Sequence, residues 1–384
     1  MNRRMAEATI EEAADRAAAT GNYLAARSML EQAVEADASN RTLWMKLSAM
    51  CRASGDLPGA LSAVERSLAL SPLDFSALLS RAMLLDALGD PMAGEEFGNA
   101  LAQAPPDEQI PEPMRPAVAN ARDRWQMHQA ALEARLIEAL PQSLGPTERG
   151  RAERLISNRS RRTRPFHQDP RDFHYPGLAE LEFHDRESFP ELKELEQATD
   201  AIRAEFDRLI AAEAAEMVPY VQYPARVPLQ QWRELNHNPS WTAIHLLQNG
   251  QRIEANARHC PKTMEVVGRM PLPHVRGASP NAMFSLLAPH TRIPPHTGAA
   301  NTRVVCHLPL IVPAGCGFRV GATTREWKVG EAFVFDDTIE HEAWNDSDEL
   351  RVVLIIDLWA PGLNENERAA VAAVMGAAGP TAGA

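Results

Sequence analysis

Cysteine is scarce in this chain: 4 residues in 384, at positions 51, 260, 306 and 316, with no CxxC spacing among them. That excludes a disulfide-stapled scaffold and a zinc-ribbon framework, and it fits a reduced, cytoplasmic setting. Long apolar runs are missing too. The most apolar stretch, VVLII at 352–356, is broken by Asp357, far short of the roughly 20 residues that span a membrane. The opening MNRRMAEATIEEAADRA has no apolar h-region and does not read as a secretory signal. Excess positive charge is also lacking. A net charge of −12 argues against a general nucleic-acid binder. What remains is a chain of ordinary apolar content, long enough for two or three domains with sizeable cores.

The first third is periodic. Gly21, Gly55 and Gly89 are spaced 34 and 34 residues apart, each ahead of a helical pattern. Five residues after each stands a small residue (Ala26, Ala60, Gly94), and seventeen after each a helix-end position (Ala38, Pro72, Pro106). A turn glycine, a small residue where two helices cross and a terminating proline at this period resemble the tetratricopeptide repeat. The alternative is an Ala-rich bundle with a chance period. Such arrays hold a peptide or a neighbouring domain on a concave face and rarely catalyse, so chemistry is to be sought downstream. After Pro106 a Pro-rich break leads into a polar helix over about 116–140. The segment 141–165, with seven arginines, reads as a linker whose charges form a solvated or domain-contacting face.

From about residue 280 the pattern becomes short β runs: MFSLLA, TRVVCHLPLIV, GFRVG, REWKV, AFVF and LRVVLIIDLWA. This close spacing, with turns rich in Gly, Asn and Asp, suggests a sandwich or barrel. His296 stands just before a strand and His341 just after one, 45 residues apart, and Arg351 follows ten residues later. The turn NDSDE between them reads as a hairpin that brings His341 and Arg351 together. A lone Arg in an apolar strand needs an anionic partner, either a bound anion or a structural ion pair with Asp357 or Asp336. The arrangement fits a non-haem iron oxygenase, in which imidazoles hold Fe(II) and leave positions open for 2-oxoglutarate and O₂. A deeper Arg then meets the far carboxylate. The usual facial triad places Asp or Glu two residues after the first His. Here that residue is Gly298, and by residue chemistry alone the pair also reads as a structural or zinc pair.

The region 170–365 resembles the aspartyl/asparaginyl β-hydroxylase family. The matching stretches are FHYPGL (173–178), HCPKT (259–263), MFSLLAPHTRIPPHTGAANTRVVCHLPLIVP (283–313), Trp327 with VGEAFVFDDTIEHEAWN (329–345), and LRVVLIIDLWAP (350–361). The family binds iron through two histidines without a carboxylate ligand, so the resemblance accounts for Gly298. Its animal members also carry tetratricopeptide repeats. The resemblance implies His296 and His341 as metal and catalytic residues, and Ser285 and Arg351 as holders of the distal 2-oxoglutarate carboxylate. It implies His307 as a contact to the other carboxylate, the alternative being a satisfied core histidine. Arg303, Val305 and His307 share one strand face by period two. The family's animal enzymes carry a second Arg where Val305 stands, which leaves Arg303 to receive a substrate carboxylate or amide.

The expected fold is α+β and multidomain: a helical tetratricopeptide-repeat array over 1–115, a helical, Arg-rich linker over 116–165, a double-stranded β-helix (jelly-roll, cupin-like) oxygenase barrel over 166–365, and a flexible Ala/Gly-rich tail over 366–384. The expected activity is Fe(II)- and 2-oxoglutarate-dependent hydroxylation of an aspartyl/asparaginyl-type residue in a peptide or protein. Alternatives are the same chemistry on a free amino acid, a small peptide or a lipid acyl chain, or a non-catalytic repeat scaffold. The expected partner is a peptide or protein substrate met partly through the repeats, with no nucleic acid and no membrane span.

Overall fold

The computed structural model describes residues 2–226 and 228–378. The chain divides into two compact units, Met1–Thr163 and Arg164–Ala384. The first is helical: α1 (Asn2–Ala19), α2 (Tyr23–Ala36), α3 (Arg41–Ala53), α4 (Leu57–Leu70), α5 (Phe75–Ala87), α6 (Ala93–Leu101), α7 (Arg115–Glu138) and α8 (Pro146–Arg159). Asn22, Asn40, Asp56 and Asp74 cap α2 to α5 by accepting backbone N–H groups of the first turn. Gly21, Gly55 and Gly89 have φ of +79°, +85° and +72°. That left-handed backbone costs glycine nothing and other residues dearly, so the 34-residue phase marks one turn repeated three times.

Ala26 and Ala60 are fully buried where helices cross. Gly94 serves a different neighbour. A Cβ there would stand 2.3 Å from the His128 ring, and one at Gly98 would stand 2.7 Å from Trp125. Both rings belong to α7, which thus packs on α6 and closes the array. The 141–165 segment is not a simple linker, since it contains α8. Its arginines find acidic partners: Arg149 with Glu153, Arg161 with Glu95 and Arg162 with Glu133.

The second unit holds α9 (Leu192–Gln197), α10 (Thr199–Ala211), β1 (Val218–Pro219), β2 (Trp241–Gln248), β3 (Gln251–Arg252), α11 (Glu254–Ala257), α12 (Pro261–Val267), β4 (Ala282–Leu287), β5 (Thr291–His296), β6 (Arg303–Ile311), β7 (Cys316–Val320), β8 (Thr323–Arg325), β9 (Phe333–Phe335), β10 (His341–Asn345), β11 (Arg351–Trp359) and α13 (Glu365–Ala378). Seven strands form one antiparallel sheet in the order β1-β2-β4-β11-β6-β9, with β3 paired to β2. Four form a second, β5-β10-β7-β8. The two sheets enclose a core, and no closed barrel is formed among the described residues.

β11 shows how sequence sets this layering. Every residue of Arg351–Trp359 is buried. Val352, Leu354, Ile356 and Leu358 pack with the α9, α10 and α12 side chains, whereas Val353 and Ile355 pack with the second sheet's Phe318, Val320 and Ala343. Successive residues of a strand face opposite ways, so an unbroken apolar run covers two cores. Arg351 and Asp357 share the inward parity.

Three expectations are corrected. β10 and β11 do not form a hairpin: they lie in different sheets, and the turn between them crosses from one to the other. Asn345 pins that crossing, its Nδ2 donating to the carbonyls of Leu287, Ala288 and Glu349. REWKV is not a strand, because pairing stops at Arg325 and Trp327 turns inward from the following loop. The tail expected to be flexible over 366–384 is helical to Ala378, with Val371 buried; residues 379–384 lie outside the described residues.

Candidate active site

Between the sheets lies a cavity of about 260 Å³, walled by inward residues of both. His296 ends β5 and His341 begins β10, and the two are register partners across that strand pair. Their ring centroids are 4.0 Å apart. His296 Nδ1 lies 2.8 Å from the Pro294 carbonyl and His341 Nδ1 lies 3.1 Å from the Ile339 carbonyl. A carbonyl only accepts, so each Nδ1 carries the proton and each Nε2 keeps its lone pair. Burial, with the neighbouring His341, pushes the His296 pKa well below the usual histidine value; burial takes His341 down to about 4. Both rings are therefore neutral donors at pH 7. Among the described residues, no group of three or more His, Cys, Asp and Glu side chains is placed to hold a metal.

The reason no carboxylate follows His296 is visible in the packing. A Cβ on Gly298 would stand 2.2 Å from Asp337 Oδ2. The Asp337 carboxylate, delivered from the loop after β9, fills the space that a residue-298 side chain needs. Its Oδ2 pairs with Arg303 Nη1 at 3.1 Å, while Oδ1 is buried and has no partner.

Arg351 is 2% exposed and faces no carboxylate among the described residues. Its Nη1 makes a long contact, 3.5 Å, to Ser285 Oγ. Its Cζ lies 4.8 Å from the Trp327 ring centroid, and its Nε has no partner. Burial pulls its pKa down to about 10. The structural ion-pair alternative does not hold. Asp357 accepts from the Asn281 backbone and side chain and pairs with Arg303 at 3.3 Å, and Asp336 accepts from Thr338 and Gln168. A buried cation without a counterion is costly, and among the described residues nothing offsets this one.

His307 also lines the cavity, with Phe318, Phe333 and Phe335 around its ring at centroid distances of 5.2, 5.5 and 4.9 Å. Its Nδ1 is buried without a partner, unlike a satisfied core histidine. Burial, then Arg351, holds it neutral. Arg303 is differently placed from a free substrate contact: Asp337 and Asp357 share its Nη1. Burial opposes its charge, but the two carboxylates outweigh burial and raise its pKa. Val305 is the Cα partner of Asp357, so a cation at 305 would have stood beside that carboxylate.

Sequence reading missed the aromatic wall. Trp241 Nε1 donates to Ser285 Oγ at 3.1 Å, Tyr220 stacks on Trp241 at 3.8 Å, and Trp232 meets His296 edge-on at 4.9 Å. The apolar run WTAIHLLQ (241–248) carried a strand signal. Nothing local marked its tryptophan as a neighbour of Ser285, 44 residues away.

Residues 196–361 match the model of the aspartyl/asparaginyl beta-hydroxylase family. The matched stretch lies within the C-terminal unit, which is similar to that family. The human "Aspartate beta-hydroxylase domain-containing protein 2" is 31% identical over 58% of this chain and 59% of its own length. The "Ornithine lipid ester-linked acyl 2-hydroxylase" of Rhizobium tropici is 32% identical over 49% of this chain and 63% of its own length. The chain thus spans about three-fifths of these relatives. Among solved structures, the Arabidopsis OM64 TPR domain is similar to the helical part, with 17% identity and a TM-score of 0.28 over 33% of this chain and 98% of that one.

Proposed function

We propose that this chain is an Fe(II)- and 2-oxoglutarate-dependent hydroxylase acting on an aspartyl/asparaginyl-type residue of a peptide or protein, its two sheets being those of a double-stranded β-helix. The observation that carries the reading is a cavity between the sheets lined by two unlike groups: a pair of neutral imidazoles with free Nε2 atoms, and a buried guanidinium with no counterion among the described residues.

The residues present fit the group. Two neutral imidazoles, oriented by backbone carbonyls, form a donor set suited to Fe(II) that leaves positions open. His296 and His341 would hold the metal. Arg351 and Ser285 would hold the distal carboxylate of 2-oxoglutarate, and His307 would meet the carboxylate near the metal. When bound, the iron supplies the coupling of 2-oxoglutarate and O₂ to succinate, CO₂ and one hydroxyl group on the substrate. The chain's own part is positional. The ring of Trp232 fixes the His296 face, the Asp337 Oδ1 atom offers an acceptor beside the histidines, and the apolar wall of Phe318, Phe335 and Ile293 keeps water away from the reacting carbon.

A second reading, oxidation of a lipid acyl chain, is favoured by the Rhizobium relative and by the apolar lining of Val221, Met283, Val305 and Ile355. One experiment separates the readings. The full chain is supplied with Fe(II), 2-oxoglutarate and O₂, and succinate is measured with peptides bearing Asp or Asn and with acyl lipids. Succinate raised by peptide supports the first reading and succinate raised by lipid the second. No iron-dependent succinate in any arm sinks both.

A further inference from the structure

The Arg351 side of the cavity holds more donors than Arg351 and Ser285. Trp327 is buried, and its indole Nε1 has no hydrogen-bond partner among the described residues. Buried indole N–H groups normally find an acceptor. The ring is held firmly. One face stacks on Phe318, with centroids 5.5 Å apart and planes 16° from parallel, and the Arg351 guanidinium lies 4.8 Å from its centroid. Trp327 therefore cannot swing to solvent without uncovering the Arg351 cation.

Ser285 adds a third donor. Its Oγ already accepts from Trp241 Nε1 and, more weakly, from Arg351 Nη1, and among the described residues no group accepts its hydroxyl proton. The same wall thus presents three unmatched N–H or O–H groups, those of Arg351 Nε, Ser285 Oγ and Trp327 Nε1, with no carboxylate among its own residues. An ionised carboxylate has about four lone-pair sites and accepts all three.

We infer that Trp327 is a further binding residue for 2-oxoglutarate, its Nε1–H donating to the distal carboxylate beside Arg351 and Ser285 while its ring positions the guanidinium. The inference rests on the functional reading above and adds to it a residue that selects a dicarboxylate over a monocarboxylate of the same length.

The test is Trp327→Phe in the full chain, which keeps an aromatic ring between Arg351 and Phe318 and deletes the donor together with part of the ring volume; the monocarboxylate control below separates the two losses. Binding is measured by calorimetry with Mn(II) present, for 2-oxoglutarate and for 2-oxopentanoate, which lacks the distal carboxylate. The expected result is weaker binding of 2-oxoglutarate by about tenfold, the size of one hydrogen bond to a charged group, with 2-oxopentanoate and Mn(II) binding unchanged. Equal loss for both acids would make the role structural and overturn the inference, as would no loss for either. A wild-type chain that binds no 2-oxoglutarate would overturn the functional reading itself, and this inference with it. Should the variant not fold, the indole ¹H–¹⁵N signal of Trp327 in the wild-type chain decides: it moves downfield on adding 2-oxoglutarate, and a signal that stays put overturns the inference.

Discussion

His341 lies directly across the β5–β10 pair from His296, with 4.0 Å between ring centroids and each Nδ1 tied to a backbone carbonyl two residues before it. Two neutral imidazoles this close, neither hydrogen-bonded to the other, are arranged for a shared third party. His296→Ala and His341→Ala are each expected to weaken Mn(II) or Fe(II) binding by more than the roughly 10–100-fold typical of losing an outer partner, and to abolish succinate formation. Metal titration of either variant at wild-type affinity would remove the metal centre from this pair.

Gly298 tests the same centre from the other side. The space for its side chain is occupied by the Asp337 carboxylate. Restoring an HxD pattern by Gly298→Asp sets two carboxylates against one another and displaces Asp337 from Arg303. The variant is expected to lose turnover and to melt at a lower temperature, not to gain metal affinity. A tighter metal site in Gly298→Asp would show that the cavity accepts a third protein ligand.

Much of this arrangement was legible before the fold was known. Chain order gave the two histidines and Arg351, because an Arg inside LRVVLIIDLW has few reasons to be there. Period two gave the shared face of Arg303, Val305 and His307. The hairpin between His341 and Arg351 was misread because a short Asn/Asp/Ser turn looks the same whether it joins paired strands or steps between sheets; the difference lies in the three carbonyls that Asn345 reaches, one of them 58 residues away. Trp327 was hidden for a similar reason. It stands among the matched stretches, but a loop of mixed charge gives no sign of direction; its burial and its contacts with Phe318 and Arg351 show it to be inward. The helix over Glu365–Ala378 was missed because Ala- and Gly-rich composition reads as weak structure, while its support comes from Val371 and from the Glu367 contact with the Tyr175 hydroxyl.

Arg351 and Arg303 should part company in two measurements. Arg351→Ala removes the cation proposed to meet the distal carboxylate, so the 2-oxoglutarate Kd is expected to rise by about 10- to 100-fold, from roughly 1.5–3 kcal/mol of charge-assisted hydrogen bonding. It leaves no carboxylate orphaned, so the ligand-free protein should keep its stability. Arg303→Ala leaves Asp337 and Asp357 without their shared cation, although Asp357 keeps its Asn281 donors. It is expected to cost about 3 kcal/mol of stability and to affect 2-oxoglutarate less. Calorimetry and urea denaturation on both variants check the pattern, and the reverse order would mean that the two arginines are assigned the wrong way round.

A pH effect on stability follows from His184. Burial holds its pKa down to about 4, and its Nε2 has no partner. The unfolded chain takes up this proton near pH 6.5, so between about 6.5 and 4 the unfolded state binds more protons and stability rises with pH. The contribution is complete above pH 6.5 and is lost as pH falls toward 4, roughly 2 kcal/mol between pH 7 and 5 for this one group. Metal-free wild-type protein should therefore lose stability over that range by urea titration, and His184→Phe should flatten the loss by that amount. An unchanged slope in the variant would mean that His184 is protonated in the folded chain.

A truncation tests whether the repeats recruit a protein substrate. The helical unit has its own core, running from Ala14 to Ala121, and the second unit has two more, so a chain starting at Arg164 retains complete cores. Under the proposed function, a concave repeat array would suit an extended chain better than a metabolite, and joining it to a catalytic unit would raise the local concentration of a peptide that touches both. The truncated chain is expected to turn 2-oxoglutarate into succinate slowly without substrate, at the rate of the full chain. On a protein substrate captured by the full chain, it should lose most of its kcat/KM, mainly through KM, while short peptides around the oxidised residue should be used equally by both. An unchanged kcat/KM on the whole protein substrate would leave the array without a recruiting role.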